Sequence, residues 1–333
     1  MGAQRGASPA RAEIEWRLPR HGACKLARVI GEADREIRLR TFDWLTRQRD
    51  EFGETIPRTT LETFSLDGRR IPLVGPSGIW KPAACELPLS ITTTVGSPYD
   101  DSSDPQAGTL RYAYRGRDPQ HRDNRGLRRA MLERVPIVYF HAIEPGSYVA
   151  AYPVFVVDDH PEQLRFSMQV DDLYAAQSES WGPSAVGEDA AEARRAYVTA
   201  TFRRRLHQVA FRGRVIRAYA ERCALCRLRH QELLDAAHIT PDSDAEGEPV
   251  VSNGVALCKL HHAAFDRFFF AIRPDYVVEV RPSVLLESDG PMLVVGLQQI
   301  HGQQIHLPRR PIDLPDQARL ERRYEQFRQA AGP

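Results

Sequence analysis

Between Cys223 and Asp266 the sequence concentrates side chains that bind metals or move protons. Cys223 and Cys226 form a Cys-x-x-Cys pair, and about thirty residues on Cys258 and His261 form a Cys-x-x-His pair. Two short knuckles of this kind supply a tetrahedral set of three sulfurs and one nitrogen, the chemistry of structural zinc. Interleaved with them is a second set, His238, Asn253, His262 and Asp266. His262 and Asp266 are four apart, so on a helix they share a face, and an imidazole and a carboxylate so placed can ligate one divalent cation. His238 lies in the short apolar stretch AAHI, which reads as a strand, and the turn-rich loop PDSDAEGEP separates it from Asn253. A strand, a loop, a strand and a helix are thus predicted to clamp one ion, while a separate ion holds the fold.

This arrangement over about 50 residues resembles the HNH, or ββα-metal, nuclease family. The resemblance implies that His238 is the general base activating water for in-line attack on a phosphodiester. It implies that Asn253 orients the loop carrying His238, and that His262 with Asp266 binds the catalytic Mg²⁺, Mn²⁺ or similar divalent cation. One position departs from the pattern: many members carry Asp or His immediately before the first His, and here that residue is Ala237. Either ligation rests on two side chains with phosphate and water, or Asp235 reaches in. The zinc set is Cys223, Cys226, Cys258 and His261. Of the 5 cysteines this leaves Cys24 and Cys85, read as buried thiols, and so few do not make a disulfide framework.

These residues need a frame. A chain of 333 residues is long enough for two domains, and 42% hydrophobic with 27% charged residues describes a globular protein. No apolar run approaches the roughly 20 residues that span a bilayer, and the start lacks the apolar core of a secretory signal, so a cytoplasmic protein is expected. The fold class expected is α+β. Residues 1–18 read as a mobile tail. A helical segment over 19–60 has apolar residues in two phases and a charged face taken as solvated. A mainly β domain covers 61–174, its strands in RRIPLVG, GIWKP, LSITTTV, TLRYAYRG, VPIVYFHAI, YVAAYPVFVVD and LRFSMQVD, with one helix near 124–133. A Ser/Gly/Pro-rich linker occupies 175–190. The nuclease domain, 191–333, opens on a helix, continues through expected strands in YVVEVRPSVL, MLVVGL and QQIHLP, and closes on a polar helix over 316–330. Net charge is only +1, yet the stretch 194–229 holds eleven arginines and one carboxylate, Glu221. A basic stripe of that kind suits phosphate contact, and Arg203, Arg204, Arg212 and Arg214 are its candidates.

The stretch SPYDDSSDPQAGTLRYAYRG (97–116) and the basic DPQHRDNRGLRRAM after it resemble the SET and RING associated (SRA) domain of PUA-like fold. Such domains flip a modified cytosine out of the duplex. The resemblance implies that Tyr99 and Tyr114 sandwich the flipped base and that Asp101, or else Asp104 or Asp100, accepts from its exocyclic amine. It also implies that His121, Arg122, Asn124 and Arg125 contact backbone or fill the vacated stack. On the residues alone, Tyr99, Tyr112 and Tyr114 also read as cross-strand packing. The two resemblances together imply a modification-dependent restriction endonuclease acting on duplex DNA bearing 5-methylcytosine or 5-hydroxymethylcytosine, as a homodimer or by two binding events. The rival readings are a nuclease directed to phosphorothioate or unmodified DNA, and an inactive DNA-binding module.

Overall fold

A computed structural model describes residues 30–95, 109–173, 188–244 and 246–331. Cys24, and with it the start of the expected helical segment, lies outside them. Helix α1 (Glu32–Phe52) is one continuous helix. Glu32 and Asp34 in its first turn favour the positive helix end, and Gly53 at φ 79° ends it, a conformation costly for any residue with a Cβ. Its Ile37, Phe42 and Leu45 enter a core with Phe140 and Tyr148 of the sheet. Part of its polar face departs from the solvated reading. Asp34 and Arg38 are buried, and Arg38 donates to the carbonyls of Pro88 and Pro136 at 2.9 Å and pairs with Asp34 at 2.9 Å. A buried guanidinium is tolerable only with such partners.

The sheet follows. After β1 (Ile56–Pro57), the short helix α2 (Arg58–Leu61) and the small hairpin β2 (Ser65–Leu66) and β3 (Arg69–Arg70) come β4 (Ile79–Trp80), β5 (Ser90–Thr92) and β6 (Leu110–Ala113). Helix α3 (Arg122–Leu132) then leads to β7 (Ile137–Glu144), β8 (Ser147–His160) and β9 (Arg165–Val170). The order is β4-β5-β7-β8-β9-β6, with β1 on β8, and β5 runs parallel to β7 while the other pairs are antiparallel. The first six residues of β7 are all buried, because α1 covers one face of the sheet and the next helix covers the other. Cys85 is buried, which pushes its thiol up to about 12.

That next helix, α4 (Glu188–Ala218), joins the two halves of the molecule. Its Phe202 and Leu206 complete the core on the sheet, while Phe211, Val215 and Ile216 belong to a second core. The second core contains β10 (Leu234–His238), β11 (Gly254–Cys258), α5 (Lys259–Asp266), β12 (Phe270–Ile272) and β13 (Val278–Val280). It is closed by α6 (Pro282–Leu286), α7 (Pro291–Gly296) and α8 (Gln317–Ala331). The strands expected in MLVVGL and QQIHLP are corrected. MLVVGL is helix α7, because Pro291 starts it and Leu293 and Leu297, one helical turn apart, meet the core while Val295 stays exposed. QQIHLP, residues 303–308, forms no strand and contributes one isolated bridge, Gln304 to Val277. No helix among the described residues is long and apolar enough to cross a membrane.

Candidate active site

β10 and β11 pair antiparallel with His238 opposite Gly254 and Leu234 opposite Cys258, and α5 follows Cys258 directly. The ladder therefore sets Cys258 at one end of a two-stranded ribbon and His238 at the other, with α5, which carries His262 and Asp266, packed against it.

At the Cys258 end, the ligand atoms of Cys223, Cys226, Cys258 and His261 all lie within 4.8 Å of one another. Tetrahedral zinc with bonds of about 2.3 Å to sulfur has sulfur–sulfur edges of roughly 3.8 Å, and the Cys226–Cys258 separation is 3.9 Å. His261 turns Nδ1 toward the sulfurs, 3.2 Å from Cys258 and 3.4 Å from Cys223. Its Nε2 lies 2.7 Å from the Gly296 carbonyl of α7, which accepts the N–H and fixes the tautomer. Hydrogen bonds from Cys223 and Cys226 hold the Cys258 thiol far below its usual range. Burial lowers His261, yet hydrogen bonding with Cys226 and Cys258 pushes it up to about 10. A thiolate already favoured among three sulfurs and one nitrogen suits zinc.

At the other end, His238 is half-buried and its ring stacks on Phe211 of α4, centroids 4.0 Å apart and planes 18° apart. Phe211 comes this close because the residue opposite His238 is glycine; a Cβ on Gly254 would lie 2.8 Å from the Phe211 ring and 2.5 Å from Val215. His238 Nε2 is shielded and has no hydrogen-bond partner among the described residues. Burial lowers the His238 pKa below its ordinary value; Asp242 opposes this, His262 adds to it and Asp266 opposes it. Asn253 is fully buried. Its side chain accepts from the Thr240 N–H at 2.8 Å and donates to the carbonyls of Thr240 and Glu248 at 3.0 Å, pinning the chain just beyond His238.

His262 Nε2 lies 3.3 Å from Asp266 Oδ2. Two ligands of one ion with bonds of about 2.1 Å are separated by roughly 3.0–3.4 Å, so the pair fits a shared divalent cation. Asp235 sits on the opposite ring nitrogen, its Oδ2 3.5 Å from His262 Nδ1. It also meets Lys259 at 3.3 Å and Arg212 at 3.7 Å.

Residues 223–273 match a family model described as HNH endonuclease. The chain carries an HNH endonuclease domain. A comparison with curated proteins returns no match. Among solved structures, one titled "Modification dependent TagI restriction endonuclease" is similar at 18% identity and a TM-score of 0.28, over 84% of this chain and 89% of that one. "Structure of the Type IV phosphorothioation-dependent restriction endonuclease ScoMcrA" is similar at 14% identity and a TM-score of 0.20, over 75% of this chain and 52% of that one.

Around the HNH domain the arginines divide. Arg212 donates to the carbonyls of Gln231 and Leu234 at 2.8 Å, and Arg214 to that of Pro249 at 2.8 Å, so both hold segments flanking the site. Arg203 donates to the Thr109 carbonyl. Arg194 and Arg195 both pair with Asp171, and Arg217 with Glu144, while Arg204, Arg122 and Arg125 are exposed. In the sheet domain, Tyr99 and Asp101, like Asp100 and Asp104, lie outside the described residues. Tyr114 is 6% exposed, with its ring on Phe166 at 4.6 Å and its hydroxyl donating to Asp159 and accepting from Arg128. It also lines a cavity of about 190 Å³ with Tyr112, Tyr139, Thr92 and Thr94. Sequence reasoning missed Phe211; its signal was the apolar spacing Phe211, Val215, Tyr219 along α4.

Proposed function

We propose that the protein is a modification-dependent restriction endonuclease that reads 5-methylcytosine or 5-hydroxymethylcytosine in duplex DNA and hydrolyses a phosphodiester at the HNH site. The observation that carries the hydrolytic part is His238, shielded and without a hydrogen-bond partner at Nε2 among the described residues, on the ribbon that α5 packs against with His262 and Asp266 3.3 Å apart. Burial favours neutral His238, which takes a proton from the water attacking phosphorus. Asn253 keeps the chain after His238 from moving away from that water. His262 and Asp266 would hold a Mg²⁺, Mn²⁺ or similar ion, and Asp235, 3.5 Å from His262 Nδ1, would orient the imidazole for it. Such an ion, when bound, neutralises charge developing on the phosphate and the leaving oxygen. Zinc at Cys223, Cys226, Cys258 and His261 would hold the Cys258 end of the ribbon.

The specificity is assigned to the cavity beside Tyr114. Its lining residues Thr94 and Arg111 flank in sequence the stretch that carries Tyr99 and Asp101. A flipped base would stack between Tyr99 and Tyr114 and give its exocyclic amine to Asp101. Exposed Arg122, Arg125 and Arg204 suit backbone phosphates, and cutting both strands calls for a homodimer or two binding events. The reading is tested by the affinity of the intact protein for one duplex with and without a single 5-methylcytosine. Wild type is expected to prefer the methylated duplex, and Tyr99→Ala or Asp101→Ala to lose the preference while retaining the weaker unmodified binding. An unchanged preference in both variants moves the pocket elsewhere.

A further inference from the structure

Helix α8 lies beyond the matched 223–273 segment, yet it sends one charged side chain into the site. Arg323 is 7% exposed and shares a helix face with Leu320 and Phe327, at 0% and 1%. Its guanidinium donates to the Ile239 carbonyl at 3.2 Å and to the Phe265 carbonyl at 3.0 Å. It lies over the Phe265 ring, 4.0 Å from the centroid, and 3.6 Å from Asp266 Oδ1. Ile239 follows His238 and Phe265 precedes Asp266. One planar fork therefore spans the strand that carries the base and the helix that carries the metal-facing carboxylate.

Packing alone does not call for this residue. On a face shared with leucine and phenylalanine an apolar side chain of similar length would serve, and a buried guanidinium is costly unless its partners compensate. Asp266 is 52% exposed, so its rotamer is not fixed by burial. With Oδ1 toward Arg323, Oδ2 is the oxygen that faces His262 Nε2.

We propose that Arg323 is a positioning residue of the nuclease site, fixing the spacing between the His238 strand and α5 and aiming Asp266 Oδ2 at the catalytic ion. The proposal rests on the HNH reading of His238, His262 and Asp266. Charge and position make opposite claims about metal affinity. A cation beside Asp266 repels a divalent ion, so if Arg323 contributed only charge, its removal would tighten binding. If it positions Asp266, removal weakens binding. A lysine keeps the charge but cannot span both carbonyls as a guanidinium does.

The test is a Mn²⁺ titration of the full-length, zinc-loaded protein, followed by the electron paramagnetic resonance of free Mn²⁺, with Asp266→Ala defining the site. Zinc content and the thermal transition are measured on every variant. Arg323→Met is expected to weaken Mn²⁺ binding about 10- to 100-fold, the usual size of an outer-shell effect. Arg323→Lys is expected to weaken it as well, by several-fold, with zinc retained. Affinity that is unchanged or tighter in Arg323→Met overturns the proposal. Should that variant lose zinc or its thermal transition, Arg323→Lys decides by the same criterion. A wild type whose Mn²⁺ binding does not depend on Asp266 overturns both the site reading and this proposal. A wild type that binds Mn²⁺ through Asp266 but cuts no DNA overturns the proposed function alone.

Discussion

As the proposed general base, His238 has to meet two demands, a surface close enough to DNA to act and a ring shielded enough to stay neutral. The Phe211 ring meets the second, and burial keeps the His238 pKa below its ordinary value of 6.5. A base is competent when unprotonated, so cleavage is expected to hold steady on the alkaline side and fall as pH drops through that lowered value. The acid limb of the kcat/KM profile should therefore inflect below about 6.5; an inflection above neutrality would point to another base. His238→Ala is expected to reduce cleavage by roughly 10²- to 10⁴-fold, the range of a general base, with zinc content and duplex affinity unchanged. The Cys223, Cys226, Cys258 and His261 cluster and the helical pairing of His262 with Asp266 could be read from the sequence because each knuckle or turn is local. Phe211 and Arg323 could not, since their roles depend on α4 and α8 crossing the ribbon, and a lone arginine in a polar-looking helix announces nothing until Leu320 and Phe327 place it on the buried face.

The ribbon of β10 and β11 is the element on which both clusters depend. Loss of zinc should release the Cys223 knuckle and the start of α5 together, because Cys258 joins β11 to that helix. Cys258→Ser is expected to lower zinc content and the unfolding temperature; full zinc loading at wild-type stability would refute the assignment. At the other end, Gly254→Ala would push a methyl group against Phe211 and Val215. Overpacking of this kind costs about 1–3 kcal/mol, a loss that chemical denaturation would register as a lower midpoint. The ββα order was legible from apolar runs and ligand spacing. MLVVGL was not, because its two valines suggest a strand, while the proline before it and the leucines one turn apart decide for a helix. In α1, likewise, the Asp34–Arg38 pair looks like any surface pair until the sheet covers it.

Across the whole molecule α4 is the coupling device. Its first half completes the core of the sheet domain and its second half carries Phe211 against His238. The arginine stripe read from the sequence as a phosphate-binding face serves this architecture first. Arg194 and Arg195 pair with Asp171 on the sheet domain, Arg217 with Glu144, and Arg212 with the carbonyls at the start of β10. Composition could not reveal this, because it counts charges without their partners. The proposed division of labour places the choice of DNA in the sheet domain and its cutting in the HNH domain. It is tested most directly by digesting one plasmid, methylated or unmethylated at cytosine, with the full-length protein and Mg²⁺ or Mn²⁺. Cutting of the methylated plasmid alone is the predicted result; equal cutting of both, or of neither, would contradict it.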